Sequence, residues 1–400
     1  MRRVRLTVPC VAIALSAIAC GEDSVRVADQ DPGLLAPSAG EEKGRPLANP
    51  VVDDAPRETP RDPQADTTGG PGLGSCAADM HSCGSRCVSF STDARNCGGC
   101  AHSCMLGQCS NSQCQSFGFI AGLKNVGNVF ADSEHVYWAD NGQLFMSNKL
   151  GNVVTKLGLT GASSGKVIAS DDKAVYFFDT DNNSFGRTSR NELAISTLYS
   201  APMFRGVFRA YHDDFYWAER NESGEDRIMV GSTKGAEAMV AGVATAGVRD
   251  IAVDSKHVYW TTTDGRVSRA SRFGGCSTTE CSETIAREQA SPGSITVDAA
   301  HVYWANEKTG VVLRANKDSL AIEAFASGRG KPGHVTVDYG GVYFTVQSPN
   351  GHTDVVKALL SGDGVIVLGS SNHPIGSLAV DSTALYWTDR TDGMIYKLAK

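Results

Sequence analysis

The chain has 400 residues, of which 41% are hydrophobic and 20% are charged, and its formal net charge is −7. No cluster of basic residues follows the first five positions, whereas a domain that binds nucleic acid should present a basic face. The composition therefore excludes nucleic acid from the expected partners. Removal of residues 1–19, which contain three arginines and no acidic residue, would move the net charge from −7 to −10.

Residues 1–19 are predicted to be an export signal. Arg2, Arg3 and Arg5 form a positive start, and Val8 to Ala19 is an apolar run. The run is too short to span a bilayer, which needs about 20 apolar residues.

The end of this run, Leu15-Ser-Ala-Ile-Ala-Cys20, resembles the bacterial lipobox, although Ala17 stands where Leu is commonest. The resemblance implies that Cys20 is lipidated and becomes the mature N-terminus. Gly21 follows it, which favours the outer membrane or cell surface by the rule known for enteric bacteria. The alternative is an ordinary cleaved signal in which Cys20 has no role.

Residues 20–75 are predicted to be a disordered linker behind the anchor. Residues 21–75 contain no Phe, Trp or Tyr, and they include eight prolines, eleven acidic and five basic residues. Such a stretch cannot bury enough apolar surface to offset its ordering entropy. We expect it to act as a spacer that holds the folded part away from the membrane.

Residues 76–116 are predicted to form a separate cysteine-rich module. A segment this short has almost no core and needs covalent cross-links, and four disulfides suit an exported protein. Their pairing cannot be read from the sequence. Zinc is the alternative, suggested by Cys97-Gly-Gly-Cys100, but a zinc ribbon needs two such pairs. The eight cysteines are Cys76, Cys83, Cys87, Cys97, Cys100, Cys104, Cys109 and Cys114.

The spacing of these cysteines resembles the stigma-specific (STIG1-like) module, which recurs in secreted proteins and lipoproteins of myxobacteria. The matching runs are Cys83-Gly-Ser-Arg-Cys-Val, Asn96-Cys-Gly-Gly-Cys, Ser103-Cys104 and Cys109 to Cys114, and Ala101 stands where glycine is usual. The resemblance covers about 40 residues and implies an exported protein of the interaction type.

The remaining residues, 117–400, contain seven copies of one pattern. Its aromatic ends are 39, 40, 43, 44, 40 and 43 residues apart, and a period near 42 with an aromatic anchor is typical of a β-propeller. The seven anchors are Trp138, Phe177, Trp217, Trp260, Trp304, Phe344 and Trp387. The sequence therefore predicts an all-β fold, a seven-bladed β-propeller, with an ordinary β-sandwich as the alternative.

The repeat around Trp304 illustrates the predicted strands and turn of one blade. Ser294–Asp298 and His301–Ala305 are predicted strands, and Asp298 can close the turn between them. Tyr303 and Trp304 are adjacent and must point to opposite faces of the sheet. A sheet that buries aromatic side chains on both faces is covered on both faces, as stacked blades are.

The ends of the repeat region predict how the ring closes. The last repeat stops after its third strand, at Lys400, and an unassigned strand-like run, Phe117–Ala121, precedes the first repeat. We expect this run to supply the outer strand of the last blade and so remove a free sheet edge.

The runs Tyr386-Trp-Thr-Asp and Tyr137-Trp-Ala-Asp resemble the YWTD-type propeller repeats of receptor ectodomains. That family generally has six blades, whereas seven repeats are counted here, and the final Asp is replaced in four of them. The resemblance supports the fold and carries over no ligand site.

Cys276 and Cys281 are expected to form a local disulfide between the third and fourth strands of the fourth blade.

Motifs for chemistry are few. Gly161-Ala-Ser-Ser-Gly165 matches the nucleophile-elbow pattern but lacks the strand-to-helix context that the mechanism needs. Asp179, Asp181 and Asn183 begin like a calcium loop, but Ser184 and Arg190 stand where an EF-hand needs Gly and Glu. A polar hairpin turn is favoured over a calcium site, and no other cofactor is expected.

His212, Asp213 and Asp214 break the repeat, because Tyr211 replaces the usual Asp. Function is grafted onto a symmetric scaffold where the repeat deviates, so these three residues are the binding candidates, with a variant turn as the alternative. No catalytic residues are assigned.

The sequence predicts a lipid-anchored envelope protein whose propeller binds a protein, peptide or glycan. The alternatives are a propeller enzyme of the lyase or lactonase type and a passive structural or adhesive component.

Overall fold

The computed structural model describes residues 76–157, 165–170, 174–189, 195–235, 237–327 and 330–400. The signal peptide, Cys20, the linker to residue 75 and Gly161–Ser164 of the serine motif lie outside the described residues. Across the described part of the chain, no helix is long and apolar enough to cross a membrane.

Short strands occur in the cysteine-rich module and just after it. These strands are β1 (His81–Cys83), β2 (Arg86–Val88), β3 (Cys109–Ser110), β4 (Gln113–Cys114) and β5 (Phe117–Ile120).

The next twelve strands form blades 1 to 3, four strands to a blade. Blade 1 comprises β6 (Val126–Ala131), β7 (His135–Asp140), β8 (Gln143–Asn148) and β9 (Val154–Leu157). Blade 2 comprises β10 (Gly165–Ser170), β11 (Ala174–Asp179), β12 (Ser184–Ser189) and β13 (Ile195–Ser200). Blade 3 comprises β14 (Phe204–Tyr211), β15 (Asp214–Arg220), β16 (Asp226–Ser232) and β17 (Met239–Val243).

Blades 4 to 6 repeat the arrangement, and a short 3₁₀ helix, Thr279–Cys281, interrupts blade 4. Blade 4 comprises β18 (Val248–Val253), β19 (His257–Thr262), β20 (Val267–Ser271) and β21 (Glu283–Ala286). Blade 5 comprises β22 (Pro292–Val297), β23 (His301–Asn306), β24 (Val311–Asn316) and β25 (Ile322–Ser327). Blade 6 comprises β26 (Lys331–Asp338), β27 (Gly341–Gln347), β28 (Thr353–Ala358) and β29 (Ile366–Ser371).

Blade 7 is assembled from both ends of the propeller sequence. Its first three strands are β30 (Ile375–Val380), β31 (Ala384–Asp389) and β32 (Met394–Ala399), and its outer strand is β5. The β5 strand pairs antiparallel with β32, with Phe117 opposite Lys397 and Ile120 opposite Ile395. The predictions of seven blades and of this closure are confirmed.

The core lies between the blades, as the adjacent aromatic residues require. Tyr303 and Trp304 are both completely buried, and they belong to different apolar clusters on the two faces of blade 5. The same holds for Tyr386 and Trp387 in blade 7. Each blade thus needs a neighbour on both sides, and the closed ring provides it.

The turn between the first and second strands is fixed by the repeated Asp. In blade 4, Asp254 Oδ1 accepts hydrogen bonds from the backbone N–H groups of Lys256 and His257, each at 2.8 Å, and Oδ2 accepts one from Tyr259 Oη at 2.8 Å. The repeated Asp and Tyr therefore have a structural role. His257 follows the Asp in the same turn and packs its ring against Tyr259.

A lysine of the next blade reaches the Asp at some of these turns. Lys317 of blade 5 lies 2.6 Å from Asp254 of blade 4, and Lys149 of blade 1 lies 2.5 Å from Asp381 of blade 7. The base near the end of the third strand holds the backbone of the same neighbour, since Arg269 donates to Lys317 O at 2.7 Å. We call this arrangement the interblade latch.

Four disulfides hold the cysteine-rich module together. The pairs are Cys76–Cys87, Cys83–Cys100, Cys97–Cys109 and Cys104–Cys114. The module packs on blades 6 and 7, where its buried cysteines join one apolar cluster with Tyr343 and Leu398. His102 also contacts the end of the propeller, with Nε2 2.6 Å from Lys400 O. A fifth disulfide, Cys276–Cys281, links the ends of the loop in blade 4.

Candidate functional site: the channel mouth

The inner strands of the blades surround a central cavity of about 630 Å³. Its charged side chains lie toward the end where the inner strands begin and the second strands end, and we call this end the channel mouth. Toward the other end the lining is uncharged, with apolar and hydroxyl side chains, and it includes Ala131, Val253, Val297 and Val380. The charged and titratable residues of the channel mouth are Arg209, Arg249, Asp250, Glu307, Lys331, His334 and Arg390.

A β-bulge near the start of each inner strand places one residue of each blade on the channel wall. In blades 4, 5 and 6 the residues after the bulge, Ile251, Ile295 and Val335, pair with the aromatic anchors. The residue type just before each of them varies between blades, with serine the one type that occurs twice among the described positions. In the six blades whose side chains are described there, these residues are Asn128, Val207, Asp250, Ser294, His334 and Ser377.

Several of these wall residues bind the next blade. Asp250 Oδ2 accepts a hydrogen bond from the backbone N–H of Ile295 at 3.0 Å. Ser294 Oγ accepts one from Val335 N at 3.1 Å, and Ser377 Oγ accepts one from Val129 N at 3.2 Å. Part of the polar lining therefore satisfies backbone groups that the bulges leave unpaired.

Glycine in the inner strands makes room for a second set of side chains. These side chains stand three residues after the aromatic anchor, where the second strand ends. A Cβ built on Gly293 would lie 2.5 Å from Glu307 Oε1, and one on Gly376 would lie 3.3 Å from Arg390 Nε. The absence of a side chain at these glycines lets Glu307 and Arg390 cross the inner strand and line the channel.

Glu307 holds two cations at once. Its Oε1 lies 2.7 Å from Arg249 Nη2, and its Oε2 lies 3.1 Å from Lys331 Nζ. Arg249 is further fixed by hydrogen bonds from Nη1 to Ser291 Oγ at 2.7 Å and to Pro292 O at 3.0 Å. Lys331 is more exposed, at 55% of its side-chain surface, against 27% for Arg249.

The other charged groups differ in how far they are neutralised. Arg209 Nη2 donates to both carboxylate oxygens of Asp250, at 3.0 and 3.1 Å, so this pair is balanced. Arg390 donates from Nε to Val126 O at 3.0 Å and pairs with no carboxylate of the described residues. His334 is enclosed in the channel wall, and this burial lowers its pKa, so the ring is neutral at pH 7.

The residues predicted from the break in the repeat do not belong to the channel mouth. His212, Asp213 and Asp214 follow the end of the inner strand β14, at the opposite end of the channel. His212 has a φ of 51° in the turn, and Asp214 Oδ2 lies 3.0 Å from Arg272 Nη1 of the next blade. This geometry supports the variant-turn interpretation. Whether these residues bind a partner stays untested.

Asp179 closes a polar turn between β11 and β12. Its Oδ1 accepts hydrogen bonds from the backbone N–H of Asp181 at 2.9 Å and of Asn182 at 3.2 Å, and its Oδ2 accepts one from Asn182 Nδ2 at 2.7 Å. Asn183 completes the turn with a φ of 46°. The contacts are those of the predicted hairpin turn, and the calcium alternative stays a prediction.

Two groups of potential metal ligands occur in the described residues. The first consists of Cys97, Cys104 and Cys109, whose sulfur atoms are in disulfides. The second lies beside the channel mouth, where His373 Nδ1 is 3.3 Å from Asp389 Oδ2 and 3.3 Å from Asp392 Oδ1. Such contacts are also those of an imidazole that binds two carboxylates without an ion.

The channel mouth was not predicted from the sequence, although the repeat carries a signal for it. When the seven repeats are aligned on the anchor, the position three residues later varies strongly, from Asn141 in blade 1 to Glu307, Gln347 and Arg390 in blades 5 to 7. The anchor itself is always Trp or Phe. A variable position at a fixed distance from a constant anchor is such a signal, but only the fold shows that these residues meet.

No family model matches the sequence, and no curated protein matches it. Solved structures share the fold at low sequence identity. A chain of the mitotic checkpoint complex is 10% identical, with a TM-score of 0.54 over 71% of this chain and 91% of the other. A catalytically inactive histidine-to-alanine variant of virginiamycin B lyase from Staphylococcus aureus, with quinupristin, is 14% identical, with a TM-score of 0.52 over 72% and 98%.

A third structure is PorZ, an essential bacterial surface component of the type IX secretion system of Porphyromonas gingivalis. It is 11% identical with a TM-score of 0.50, and the match covers 68% of this chain but only 36% of PorZ. At these identities the likeness shows the propeller fold alone.

Proposed function

We propose that the protein is an exported lipoprotein of the cell envelope, anchored through Cys20, whose propeller binds a protein, peptide or glycan at the channel mouth. The observation that carries the binding role is the cavity of about 630 Å³ with charged side chains from several blades. Ligand sites are typically clefts of roughly 300–1,000 Å³ with a few convergent polar groups. A rigid ring of blades holds such groups in place before the ligand arrives.

The proposals of a lipid anchor and of an envelope location rest on the sequence. The apolar run that ends at Cys20, the acidic linker and the resemblance to a myxobacterial cysteine-rich module support export and an outer-membrane or surface location. The five disulfides suit an oxidising compartment. Replacement of Cys20 by Ser should abolish labelling by a fatty-acid analogue and release the protein from the membrane fraction.

A lyase or lactonase is the second candidate, because Asp250, Glu307 and His334 converge from three blades. The two carboxylates are already engaged, Asp250 with Arg209 and Glu307 with two cations. His334 is bound to the backbone of Ile375, and of the three it is the one that has no cation paired with it in the described part of the chain. A general base needs a free lone pair within reach of substrate, so the engaged carboxylates favour binding over catalysis, and His334 is the residue to change in a test of the enzyme.

The proposed function is tested by cross-linking pull-down from solubilised envelope, with the oxidised full-length chain as bait. Gln347→Trp fills the channel mouth, and Lys256→Trp adds the same side chain to an exposed turn at the opposite end. A saturable partner kept by the wild type and by Lys256→Trp, but lost from Gln347→Trp, supports binding at the mouth.

Other outcomes point elsewhere. A partner that all three baits retain places the binding surface outside the channel, with the cysteine-rich module and His212 as the next positions to change. Turnover of a lactone or of quinupristin by the wild type would favour the enzyme. High abundance with no saturable partner would favour the passive structural role.

A further inference from the structure

We propose that the ligand of the channel mouth carries an oxyanion, a carboxylate or a phosphate or sulfate ester, that binds between Arg390 and the Arg249–Glu307–Lys331 group. This inference rests on the proposed function and names the chemistry of its ligand. It follows from the charges of the cavity wall and from how each of them is neutralised.

The channel mouth is positive in a protein that is negative as a whole. The described lining contains four cations and two carboxylates, and the one histidine is neutral. The local charge is therefore +2, against −7 for the entire chain. In a concave site with protein walls such a charge is screened less than on an open surface, so it attracts anions.

The two excess charges can be assigned to particular side chains. The Arg209–Asp250 pair contributes no net charge. Glu307 neutralises only one of its two cations, Arg249 and Lys331, and the second excess charge is Arg390. An anion at the mouth would complete the neutralisation, since arginine binds carboxylates and phosphates through two N–H donors.

Arg390 has donors left for such a ligand. Of its guanidinium nitrogens only Nε has a hydrogen-bond acceptor, Val126 O at 3.0 Å, in the described part of the chain. The side chain is exposed at the rim and also lines the cavity. The bond to Val126 O fixes the planar group, so less side-chain freedom is lost when an anion binds.

The lining also limits the rest of the ligand. Beyond the charged mouth the wall is made of small apolar and hydroxyl side chains, such as Val297, Thr296 and Thr336. These groups suit an uncharged or apolar part of a small or linear ligand. A second charge deep in the channel would meet no counter-charge among the described residues.

The test uses the oxidised full-length chain and simple anions as probes. Citrate, inorganic phosphate and sulfate are added at constant ionic strength, with chloride and galactose as the non-specific and neutral controls, and Tm is measured. At a probe concentration ten times its Kd we expect a rise in Tm of about 3 °C. Citrate against phosphate and sulfate separates the carboxylate source from the ester source.

Two variants locate the effect. Arg390→Gln and Lys331→Gln each remove one excess charge and should weaken probe binding about tenfold, since hydrogen bonds to charged groups are the strong ones. Arg287→Gln is the matched control, because Arg287 is exposed and does not line the channel. The Tm of each variant without probe serves as its own baseline, so a loss of stability is not mistaken for a loss of binding.

The outcomes separate this inference from the proposed function. Probe binding that survives in Arg390→Gln and Lys331→Gln, or equal shifts with galactose, would overturn the oxyanion assignment. If no anion raises Tm while the pull-down partner still depends on an open mouth, the binding role stands and the ligand is not anionic. If the partner is also indifferent to Gln347→Trp, the proposed site itself fails.

Discussion

Replacing Lys317 by Met should destabilise the propeller through the latch between blades 4 and 5. The Lys317 Nζ–Asp254 Oδ2 contact is 2.6 Å long, and each side chain keeps only 13% of its surface exposed. Burial alone would raise the pKa of Asp254, but Lys317 and the backbone donors outweigh it and hold the pKa below its usual range. The variant leaves this buried carboxylate without its cation.

The expected loss of unfolding free energy is about 2 kcal/mol. Breaking a fully buried pair costs about 3–5 kcal/mol and an exposed pair contributes about 0–1 kcal/mol, and this pair lies between the two limits. For a domain of this size, 2 kcal/mol corresponds to a fall in Tm of about 4 °C. Differential scanning calorimetry at pH 7 measures it.

The matched control is Lys256→Met, which removes the same charge from a residue two positions after Asp254. Lys256 is exposed and only its backbone N–H binds Asp254, so we expect a change within about 0.5 kcal/mol. The difference between Lys317→Met and the wild type should also shrink in acid. A carboxylate with a lowered folded pKa contributes stability above its unfolded pKa of about 3.9, and that contribution is lost as the pH falls through the folded pKa.

Two results would refute this reasoning. Equal shifts in Lys317→Met and Lys256→Met would show that the latch contributes no more than an exposed charge. A deficit in Lys317→Met that stays constant from pH 7 down to pH 2 would show that the loss does not come from the ionised Asp254.

Three further predictions concern other parts of the fold. Burial lowers the pKa of Lys397 to about 8, so the folded state loses this proton before the unfolded state does. Between pH 8 and 10 this group makes the unfolding free energy rise with pH, and the rise should be smaller in Lys397→Met than in the wild type. Replacing Cys276 and Cys281 by Ser opens a loop with a sequence separation of 5 and should cost about 2 kcal/mol in urea unfolding; a loss above about 4 kcal/mol would mean that the loop supports the blade core. His102→Ala removes the contact with Lys400 O and should speed amide exchange in β5 and β32, whereas His81→Ala, which loses only its stacking on Phe90, should leave both strands unchanged.

The sequence alone was sufficient to predict the architecture, because the turns and strands of each repeat are determined by interactions between residues that are close in the sequence. Asp298 closes a turn through the backbone of its near neighbours, Tyr303 and Trp304 alternate across one strand, and both effects act within a few residues. Seven copies in phase then leave few ways to bury aromatic side chains on both faces. The incomplete last repeat and the unassigned strand at Phe117 even predicted which strand closes the ring.

The site could not be predicted in the same way because its residues meet only in the folded ring. Arg249, Glu307 and Lys331 stand in blades 4, 5 and 6, and in the sequence each looks like an ordinary surface charge near a turn. The break in the repeat at His212 was the most visible deviation, yet it lies at the opposite end of the channel. Disulfide pairing was open for the same reason, since Cys83 and Cys100 come together only through the path of the chain.

Local sequence thus determined strands, turns and blade number, because hydrogen bonds and side-chain alternation act at short range. Tertiary structure decided which side chains face the channel, which charges are neutralised and which cysteines pair. Those properties depend on distances across blades, and a Coulomb interaction or a disulfide is set by distance in space and not by distance along the chain. Arg390 illustrates the difference: its excess charge becomes visible only when the acidic residues around it are found to be engaged elsewhere.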